Sequence, residues 1–373
     1  MVAMSGGVDS SVVAGILVRR GYDVMGVTMQ IWQESQTDPR HAGCCSLGAV
    51  EDARGVARRL DIPYYVINFK KEFKDQVITR FMDEYERGRT PNPCIECNRH
   101  VKFDALMQKA REVGCDMLAT GHYARVRKDS RTGLYRLLRA RAKDKDQSYA
   151  LYSLSQEQLS KAMFPLGELF GKSETREIAR DLGLALADKP DSQEICFVSE
   201  AGGYGEFIKK NRPTAFSDGD IVTEEGKSIG KHGGIGLYTV GQRRRIGLNV
   251  EGKPLFVLRL DPSGNKVVVG NNEALMKRSV VFDDQLGHLS KPTKVVGRIR
   301  YNMQPAQAVL YPGEPFTAEF IEPVRAVTPG QAAVFYRGET VVAGGPIRSP
   351  SAPKPARQLQ AAPAVRRSER RKS

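Results

Sequence analysis

Residues 5–11 have the sequence Ser5-Gly6-Gly7-Val8-Asp9-Ser10-Ser11 and lie between an apolar start, Met1–Met4, and an amphipathic run, Ser11–Arg20. The first flank predicts a short buried strand and the second a helix. Two glycines let the backbone turn sharply, so that successive N–H groups can point at one anion. The N-terminus of the helix adds partial positive charge. The stretch is therefore expected to bind phosphate, and it is not a Walker loop, because no Gly-Lys-Ser/Thr follows.

The alternation of strand and helix patterns continues to about residue 200. Apolar runs predict strands at Tyr22–Met29, Tyr64–Phe69 and Met117–Thr120. Helical spacing of apolar residues predicts helices at Leu47–Leu60, Glu72–Arg87 and Val101–Val113. The β-α-β-α order predicts an α/β domain, a doubly wound parallel sheet with helices on both faces.

The composition changes after about residue 200. Short alternating runs such as Leu255–Leu260 and Ala306–Tyr311 are separated by turns such as Asp261–Asn265, which is typical of small all-β domains. We expect a catalytic domain at residues 1–202, a small central β-rich domain at 203–269 and a C-terminal β-barrel at 270–348. Residues 349–373 are rich in Pro, Ala, Ser and Arg and predict a disordered basic tail.

The chain carries a large positive charge. Lys and Arg number 57 against 43 Asp and Glu, a net charge of +14, of which the tail supplies +6 and the rest +8. This surplus favours a polyanionic partner such as nucleic acid, and the alternative is solubility plus a basic tail. No signal-peptide pattern or apolar run of the ~20 residues needed to span a bilayer is present, so we expect a cytoplasmic protein without membrane contact.

In a reducing cytoplasm the six cysteines are expected to be inert, catalytic or metal-binding rather than joined in structural disulfides. The segment Gly88–Asn98 presents Cys94 and Cys97 on a proline-containing loop between two predicted helices. The N-terminus of the following helix can lower the pKa of a nearby thiol. Cys196 lies in the distant segment Asp191–Phe197, and composition alone leaves it open between a buried apolar residue and a functional thiol.

These stretches resemble two nested groups of enzymes. The segment Ser5–Ser11 resembles the SGGxDS pyrophosphate loop of N-type ATP pyrophosphatases, which split ATP between the α- and β-phosphates. The chain as a whole, from residue 3 to about 345, resembles the tRNA-specific 2-thiouridylases. The signature stretches that carry this second resemblance are Gly43–Ser46, Gly88–Asn98, Ala119–Arg125, Lys145–Tyr149, Asp191–Phe197, Tyr238–Arg243, Arg300-Tyr301 and Ala326–Gln331.

The resemblance implies an enzyme that adenylates O2 of the wobble uridine of tRNA with ATP and Mg²⁺. The oxygen is then replaced by sulfur from a cysteine persulfide, and AMP and pyrophosphate are released. The residues that it implies for ATP binding are Ala3, Met4, Ser5, Gly6, Gly7, Val8, Asp9, Ser10, Met29 and Gly121. For Asp9, two roles stay open: it caps the helix, or it holds the Mg²⁺ that bridges the phosphates.

The resemblance also implies roles for the thiols. Cys196 would receive a persulfide from a sulfur-donor protein, a cysteine desulfurase or a sulfur-relay protein, and Cys97 would attack it, leaving a disulfide. The implied contacts to the extruded uridine are Asn92, Pro93 and Cys94. The implied contacts to tRNA are Lys145, Asp146, Gln147, Arg300 and Tyr301. We expect the protein to act as a monomer.

One departure from the family keeps a second mechanism open. Many members have Asp where this chain has Cys94. Together with Cys97 and Cys196 it makes three thiols, one short of the usual four ligands of a [4Fe–4S] cluster, so a cluster competes with the persulfide. His122 is open between a nucleotide-contacting base and a packed, hydrogen-bonded side chain.

Two other classes of function would need fewer of these residues. An ATP pyrophosphatase that forms amide bonds would not need Cys97 and Cys196. A non-catalytic RNA-binding protein would need neither these thiols nor an intact loop Ser5–Ser11.

Overall fold

The computed structural model describes residues 1–32, 46–190, 195–198, 202–213, 216–244, 246, 249–250 and 253–349. Within these ranges the chain forms a parallel sheet with flanking helices, a four-stranded central sheet and an eight-stranded antiparallel sheet. The predicted fold class is therefore confirmed. Two predicted features, the pair Cys44-Cys45 with its Gly43–Ser46 signature and the basic tail beyond Ser349, lie outside the described residues, apart from Ser46.

Five parallel strands form the amino-terminal sheet. Their spatial order is Tyr64–Asn68, Gly26–Gln30, Val2–Ala3, Leu118–Ala119 and Ala162–Met163. The chain begins at the central strand, moves to one edge, and then returns to build the other side, as expected for a doubly wound sheet. The strand order reverses between Val2–Ala3 and Leu118–Ala119, and open α/β sheets bind ligands beyond the carboxyl ends of the strands at such a point. Ser5–Ser11 follows the first of these strands.

Helices cover both faces of this sheet. Neighbouring residues of one strand pack into different hydrophobic clusters, Val2 into one and Ala3 against the other, as do Ala119 and Leu118. The α-helices are Val8–Arg19, Leu47–Arg59, Lys70–Phe73, Thr79–Glu86, Pro93–Glu96, Met107–Glu112, Gln156–Lys161, Lys172–Asp181 and Tyr204–Asn211. The π-helical segments are Lys74–Ile78 and Cys97–Leu106, and the 3₁₀ turns are Ser148–Leu151, Pro165–Glu168, Ile235–Leu237 and Glu273–Leu275.

Several element boundaries differ from the predictions, two of them with consequences for the site. The second strand begins at Gly26 rather than Tyr22, because Gly21 and Tyr22 close the preceding helix. Gly21 has φ +77° and its N–H donates to Val18 O, while the N–H of Tyr22 donates to Leu17 O. The helix predicted to begin at Val101 is preceded without interruption by helical residues from Pro93 onward, so Cys94 and Cys97 lie in the helix and the prediction that a loop presents them is wrong.

The carboxyl-terminal half is built from antiparallel and mixed sheets. The central sheet has the order Phe256–Asp261, Lys266–Gly270, Gly219–Val222 and Ser228–His232, and a small separate ladder pairs Asn249–Val250 with Lys253–Pro254. The eight-stranded sheet has the order Met276–Phe282, Phe316–Arg325, Ala306–Tyr311, Thr293–Arg298, Ala332–Arg337, Thr340–Pro346, Tyr135–Arg139 and Ala124–Lys128. Phe282 also pairs with Ile347, so the first six of these strands close into a barrel.

The last two strands of that sheet come from the amino-terminal half. Leu138 pairs with Thr340, and the N–H of Arg139 donates to Glu339 O at 2.8 Å. Arg125 forms an ion pair with Glu339 at 2.7 Å. A hairpin from the predicted catalytic domain thus joins the sheet of the predicted C-terminal domain. The domain limits 1–202, 203–269 and 270–348 stay predictions. No local pattern predicts a pairing between segments so distant in the chain.

Candidate active site

The phosphate loop is held by its own residues and by the helix Leu47–Arg59. Gly6 has φ +68°, and a Cβ added to it would lie 2.2 Å from Ala49 O, so no other residue fits. The hydroxyl of Ser11 donates to Gly7 O at 2.9 Å, and Ser10 Oγ accepts the N–H of Ser5 at 3.1 Å. The helix begins at Val8, earlier than predicted, so Asp9 lies in its first turn. Both serine hydroxyls therefore stabilise the turn itself.

Asp9 is held by two donors that reach it from other segments. Lys172 Nζ lies 2.7 Å from Asp9 Oδ1, and the hydroxyl of Tyr123 donates to the same oxygen at 3.0 Å. Tyr123 shares a further hydrogen bond with Thr175 at 2.8 Å. The residue before the helix, Gly7, has no side-chain cap, so the capping role considered for Asp9 is wrong. Among the described residues Oδ2 of Asp9 accepts no hydrogen bond, which suits a carboxylate that coordinates a cation through that oxygen.

The turn after Leu118–Ala119 lies directly against the phosphate loop. A Cβ on Gly121 would lie 2.9 Å from Ser10 N, so glycine is required for this close approach. His122 is half-buried, and its Nδ1 lies 2.7 Å from Thr120 Oγ1. Burial, with a smaller contribution from Lys102, lowers the pKa of His122 well below 6.5. The structure thus shows a hydrogen-bonded imidazole, and contact with the nucleotide stays a prediction.

The remaining predicted ATP residues lie at the same edge of the sheet. Ala3 pairs with Val27, and Met29 follows in that neighbouring strand. Met4 O accepts the hydroxyl of Thr28 at 2.7 Å, which fixes the backbone just before the phosphate loop. The parallel register therefore brings Ala3, Met4, Met29 and Gly121 together with Ser5–Ser10.

The loop before the cysteine-bearing helix, Gly88–Asn92, lies where the three parts of the chain meet. The N–H of Thr90 donates to Pro329 O at 2.9 Å, and the side-chain amide of Gln331 donates to Thr90 O at 2.9 Å. Thr90 also bonds the hydroxyl of Thr239 in the central part at 3.3 Å. Gly330, at φ +87°, lies so close that a Cβ would be 3.0 Å from Thr90 N.

Three predicted residues open the helix that follows this loop. Asn92 caps it by accepting the N–H of Cys94 at 3.1 Å, and Pro93 occupies the first helical position, which suits its fixed φ. Cys94 is exposed, whereas Cys97, one turn on, is 9% exposed. Cys97 is thus shielded from bulk solvent within the first turns of a helix.

Cys196 lies next to a deeply buried anchor. Phe197 contacts the rings of Phe73, Phe81 and Phe207 at centroid distances of 5.7, 5.2 and 5.0 Å. Cys97 belongs to this hydrophobic cluster and Cys196 packs against it, so both thiols border one core. The neighbouring residues Asp191–Glu194 lie outside the described part of the chain.

The iron–sulfur cluster considered for Cys94, Cys97 and Cys196 stays a prediction. Across the described residues, which include these three cysteines, no three His, Cys, Asp or Glu side chains are grouped so as to hold a metal ion.

The predicted tRNA residues fall into two groups. Asp146 is buried, and its carboxylate accepts the N–H groups of Ala140 and Ser148, each at 3.2 Å, so it shapes the backbone around Lys145 and Gln147. Gln147 Oε1 accepts the N–H of Tyr123 at 2.9 Å, and Lys145 is half-buried.

Arg300 and Tyr301 follow the strand Thr293–Arg298, and the ring of Tyr301 contacts that of Tyr149 at a centroid distance of 5.9 Å. Arg300 donates to the carbonyls of Arg325 and Ala326, and burial lowers its pKa. Tyr301 is 40% exposed, and burial, followed by Asp146, raises its pKa.

Sequence reasoning missed three residues of the site. Tyr123 stood within a signature stretch, but its contact with Asp9 is visible only in three dimensions. Lys172 and Lys189 are isolated lysines without a local pattern, and Lys189 Nζ donates to Gly6 O at 3.0 Å. Two cavities of the structure lie away from the predicted phosphate loop and thiols. One of about 540 Å³ beside Lys189 and one of about 360 Å³ beside Asn92 are not lined by Ser5–Ser11, Cys97 or Cys196.

Three family models match the chain in succession. Residues 1–200 match a tRNA methyl transferase HUP domain, residues 205–271 a tRNA methyl transferase PRC-barrel domain, and residues 274–347 an aminomethyltransferase β-barrel domain. Among the described residues no helix is long and apolar enough to cross a membrane.

Curated relatives match nearly the whole chain. The tRNA-specific 2-thiouridylase MnmA of Heliobacterium modesticaldum is 50% identical over 355 residues, covering 93% of this chain and 91% of that protein. Those of Clostridioides difficile and Acetivibrio thermocellus are 47% and 49% identical, covering 93% of this chain and 97% and 98% of their own. Among solved structures, NMN synthetase from Francisella tularensis shares 15% identity at a TM-score of 0.31, over 57% of this chain and 75% of that one, which is too low to support an argument.

Proposed function

Because the chain belongs to the family of tRNA-specific 2-thiouridylases, we propose that it is a tRNA-uridine 2-sulfurtransferase that uses ATP. The observation that carries this proposal is an identity of 47–50% to the three relatives over 93% of the chain. A domain-by-domain match along residues 1–347 supports it.

The relatives and the family models carry different names, since the models name methyl transferases. The site residues favour sulfur transfer. A phosphate loop at the switch point of the sheet serves ATP, and two thiols bordering one core suit a persulfide relay. The same thiols argue against an amide-forming ATP pyrophosphatase, and the intact loop argues against a non-catalytic RNA-binding protein.

Adenylation would take place at the carboxyl edge of the parallel sheet. The turn Gly6–Asp9 would bind the phosphates through backbone N–H groups, with Ala3, Met4, Ser5, Val8, Ser10, Met29 and Gly121 around the nucleotide. When bound, Mg²⁺ would neutralise charge on the phosphates, and Asp9 Oδ2 fits as its protein ligand. Lys172 and Tyr123 hold the other oxygen of that carboxylate and thereby orient it.

Sulfur transfer would use Cys196 and Cys97. O2 of the uridine attacks the α-phosphate of ATP and pyrophosphate leaves, which makes O2 part of a good leaving group. The terminal sulfur of a Cys196 persulfide attacks C2 and AMP leaves with the oxygen. The Cys97 thiolate then attacks Sγ of Cys196, so that the transferred sulfur departs as the thiocarbonyl and a Cys97–Cys196 disulfide forms. A dithiol reductant restores both thiols.

The surroundings of Cys94 fit the extruded base. Asn92, Pro93 and Cys94 open the helix that carries Cys97, and the Cys94 thiol is exposed. Base extrusion is required, because an anticodon base is otherwise stacked. We also propose that Lys145, Gln147 and Arg300 contact tRNA, that Asp146 positions the first two, and that a cysteine desulfurase or sulfur-relay protein supplies sulfur to a cytoplasmic monomer.

The test is a thiolation assay with unmodified tRNA, ATP and a persulfide donor, scored by 2-thiouridine and by ATP–pyrophosphate exchange. Cys97→Ser and Cys196→Ser should each abolish 2-thiouridine and retain exchange, because adenylation needs no thiol. Cys115→Ser is the matched control and should remain active. Thiolation that survives both catalytic replacements would contradict the proposed function.

A variant of Cys94 separates the two sulfur mechanisms. Cys94→Asp, assayed in air, should keep much of the activity, because the persulfide route uses only Cys97 and Cys196. Loss of thiolation together with loss of a brown chromophore would instead indicate an iron–sulfur cluster.

A further inference from the structure

Lys189 contacts the phosphate loop from a distant segment. Its ammonium group donates to the carbonyl of Gly6 at 3.0 Å and forms an ion pair with Asp52 Oδ2 at 2.5 Å. Asp52 belongs to the helix Leu47–Arg59, the same helix whose Ala49 packs against Gly6. The lysine therefore connects the turn of the phosphate loop to the helix behind it.

We propose that Lys189 is a positioning residue of the ATP site, which holds the carbonyl of Gly6 turned away from the phosphates so that the N–H of Gly7 faces them. The proposal deepens the ATP step of the proposed function and rests on it only for the identity of the anion.

The geometry of the peptide bond supplies the physical reason. In a planar trans peptide the C=O of one residue and the N–H of the next point in opposite directions. A hydrogen bond from Lys189 to the carbonyl of Gly6 therefore fixes the direction of the N–H of Gly7. With glycine on both sides of this peptide, the backbone alone restricts its rotation little. A flipped peptide would present a carbonyl oxygen to the phosphates and repel them.

Asp52 keeps Lys189 in place. The side chain of Lys189 is 39% exposed, so without an anchor the ammonium group would spend much of its time in solvent. An ion pair this exposed is weak by itself, which makes Asp52 a supporting residue rather than the main source of the effect.

The same contact limits the distance to the sulfur site. Lys189 precedes Cys196 by seven residues, so the chain between them spans at most about 25 Å when fully extended. Because Lys189 holds Gly6, Cys196 lies within about 25 Å of a residue that contacts the phosphate loop.

The test compares Lys189→Met with Lys189→Arg and with the control Lys161→Met, an exposed lysine of the same domain. The first readout is the backbone amide resonance of Gly7 in protein labelled with ¹³C-carbonyl and ¹⁵N glycine. Only the four Gly-Gly pairs of the sequence give such signals, at Gly7, Gly203, Gly234 and Gly345. The second readout is the dissociation constant for ATP with Mg²⁺, measured without tRNA or sulfur donor.

In Lys189→Met we expect the Gly7 resonance of the ATP-free protein to move, while the other three stay in place. ATP affinity should fall about tenfold, because a hydrogen bond from a charged group is lost. Lys189→Arg should restore most of both signals, Asp52→Asn should lower affinity by about twofold to threefold, and Lys161→Met should match the parent protein.

Two results would overturn the proposal. One is an unchanged Gly7 resonance with unchanged ATP affinity in Lys189→Met. The other is reduced affinity with an unchanged Gly7 resonance, which would make Lys189 a direct phosphate ligand. Since neither readout involves thiolation, a failure of the proposed sulfur chemistry would leave both intact.

Discussion

The phosphate loop and the loop before the cysteine-bearing helix, Gly88–Asn92, are both held by several contacts, but these contacts come from different places. Ser5–Ser11 is held by hydrogen bonds within seven residues and by Ala49, Tyr123, Lys172 and Lys189, which all lie within residues 1–200. The loop around Thr90 is held by Pro329, Gln331 and Thr239, from two other parts of the chain. The first therefore needs contacts from the amino-terminal part alone, whereas the second exists only once all three parts have assembled.

This difference implies a separation of functions. Changes in the phosphate loop should affect ATP turnover and leave tRNA binding nearly intact. Changes at the junction around Thr90 should affect sulfur transfer and leave ATP binding intact. The predictions below test this separation, from the largest expected effect to the smallest.

The largest effect is expected for Gly6→Ala. Its Cβ would lie 2.2 Å from Ala49 O in a residue with φ +68°, so the loop must move. A displacement of this size at a positioned substrate should lower ATP–pyrophosphate exchange by at least about 1,000-fold. The measurement is exchange in the presence of tRNA, with tRNA affinity recorded in parallel.

Gly48→Ala is the matched control for this change. It lies on the same neighbouring helix, and a Cβ there meets nothing within 4 Å. It should retain full exchange and stabilise the fold by about 0.5–1 kcal/mol, since alanine is the better helix former. If Gly48→Ala lost as much exchange as Gly6→Ala, helix substitution rather than the close contact would be responsible.

Asp9→Ala should have the next largest effect. It removes the carboxylate that fits the metal bound to ATP and leaves Lys172 without that partner. We expect about a 100-fold loss of exchange, in the range found when a stabilising group at developing charge is removed. The affinity for tRNA, measured by filter binding, should stay within about threefold. A collapse of tRNA binding with persistent ATP turnover would show that the loop has been misassigned.

The contrast between the two loops also explains what the sequence could reveal. Residues Ser5–Ser11 could be interpreted alone, because their spacing, turn and helix are local. The doubly wound order followed from alternating patterns, and the end of the first helix at Gly21 and Tyr22 explains why the strand predicted from Tyr22 begins at Gly26.

Contacts between distant segments have no local sequence pattern from which they could be predicted. The hairpin Ala124–Arg139 carries strand residues, but nothing local indicates that it joins the barrel. Lys172, Lys189 and Tyr123 reach the phosphate loop from three separate segments. Asp146, which the resemblance implied as a tRNA contact, lies inside the fold. Its charge gave no reason to expect burial.

Gly330→Ala tests the junction and should have a smaller effect. Its Cβ would lie 3.0 Å from Arg89 Cβ and from Thr90 N, so the substitution should shift the loop Gly88–Asn92 by a few tenths of an ångström. We expect 2-thiouridine formation to fall about tenfold, with ATP affinity unchanged.

Gly338→Ala is its matched control. Gly338 has a similar backbone, φ +59° against +87°, and belongs to the same barrel, but a Cβ there meets nothing within 4 Å. Both variants carry comparable backbone strain, of about 1 kcal/mol. Only Gly330→Ala should slow the formation of 2-thiouridine. An equal decrease in both variants would mean that backbone strain, and not the contact with the loop around Thr90, is the cause.

The smallest effect concerns stability and His122, next to the phosphate loop. Burial, and secondarily Lys102, lowers the pKa of this imidazole well below 6.5. Below pH 6.5 the unfolded chain therefore binds a proton that the folded chain does not, so the free energy of unfolding should decrease as pH falls, by at most about 1.4 kcal/mol per pH unit. His122→Asn removes this titration, and chemical denaturation of both proteins between pH 5 and pH 8 measures it. The difference between the two free energies should be constant above about pH 7.5 and change in favour of the variant as pH falls below 6.5. Parallel curves across the whole range would mean that the folded protein also accepts the proton on His122, and that its pKa is not lowered.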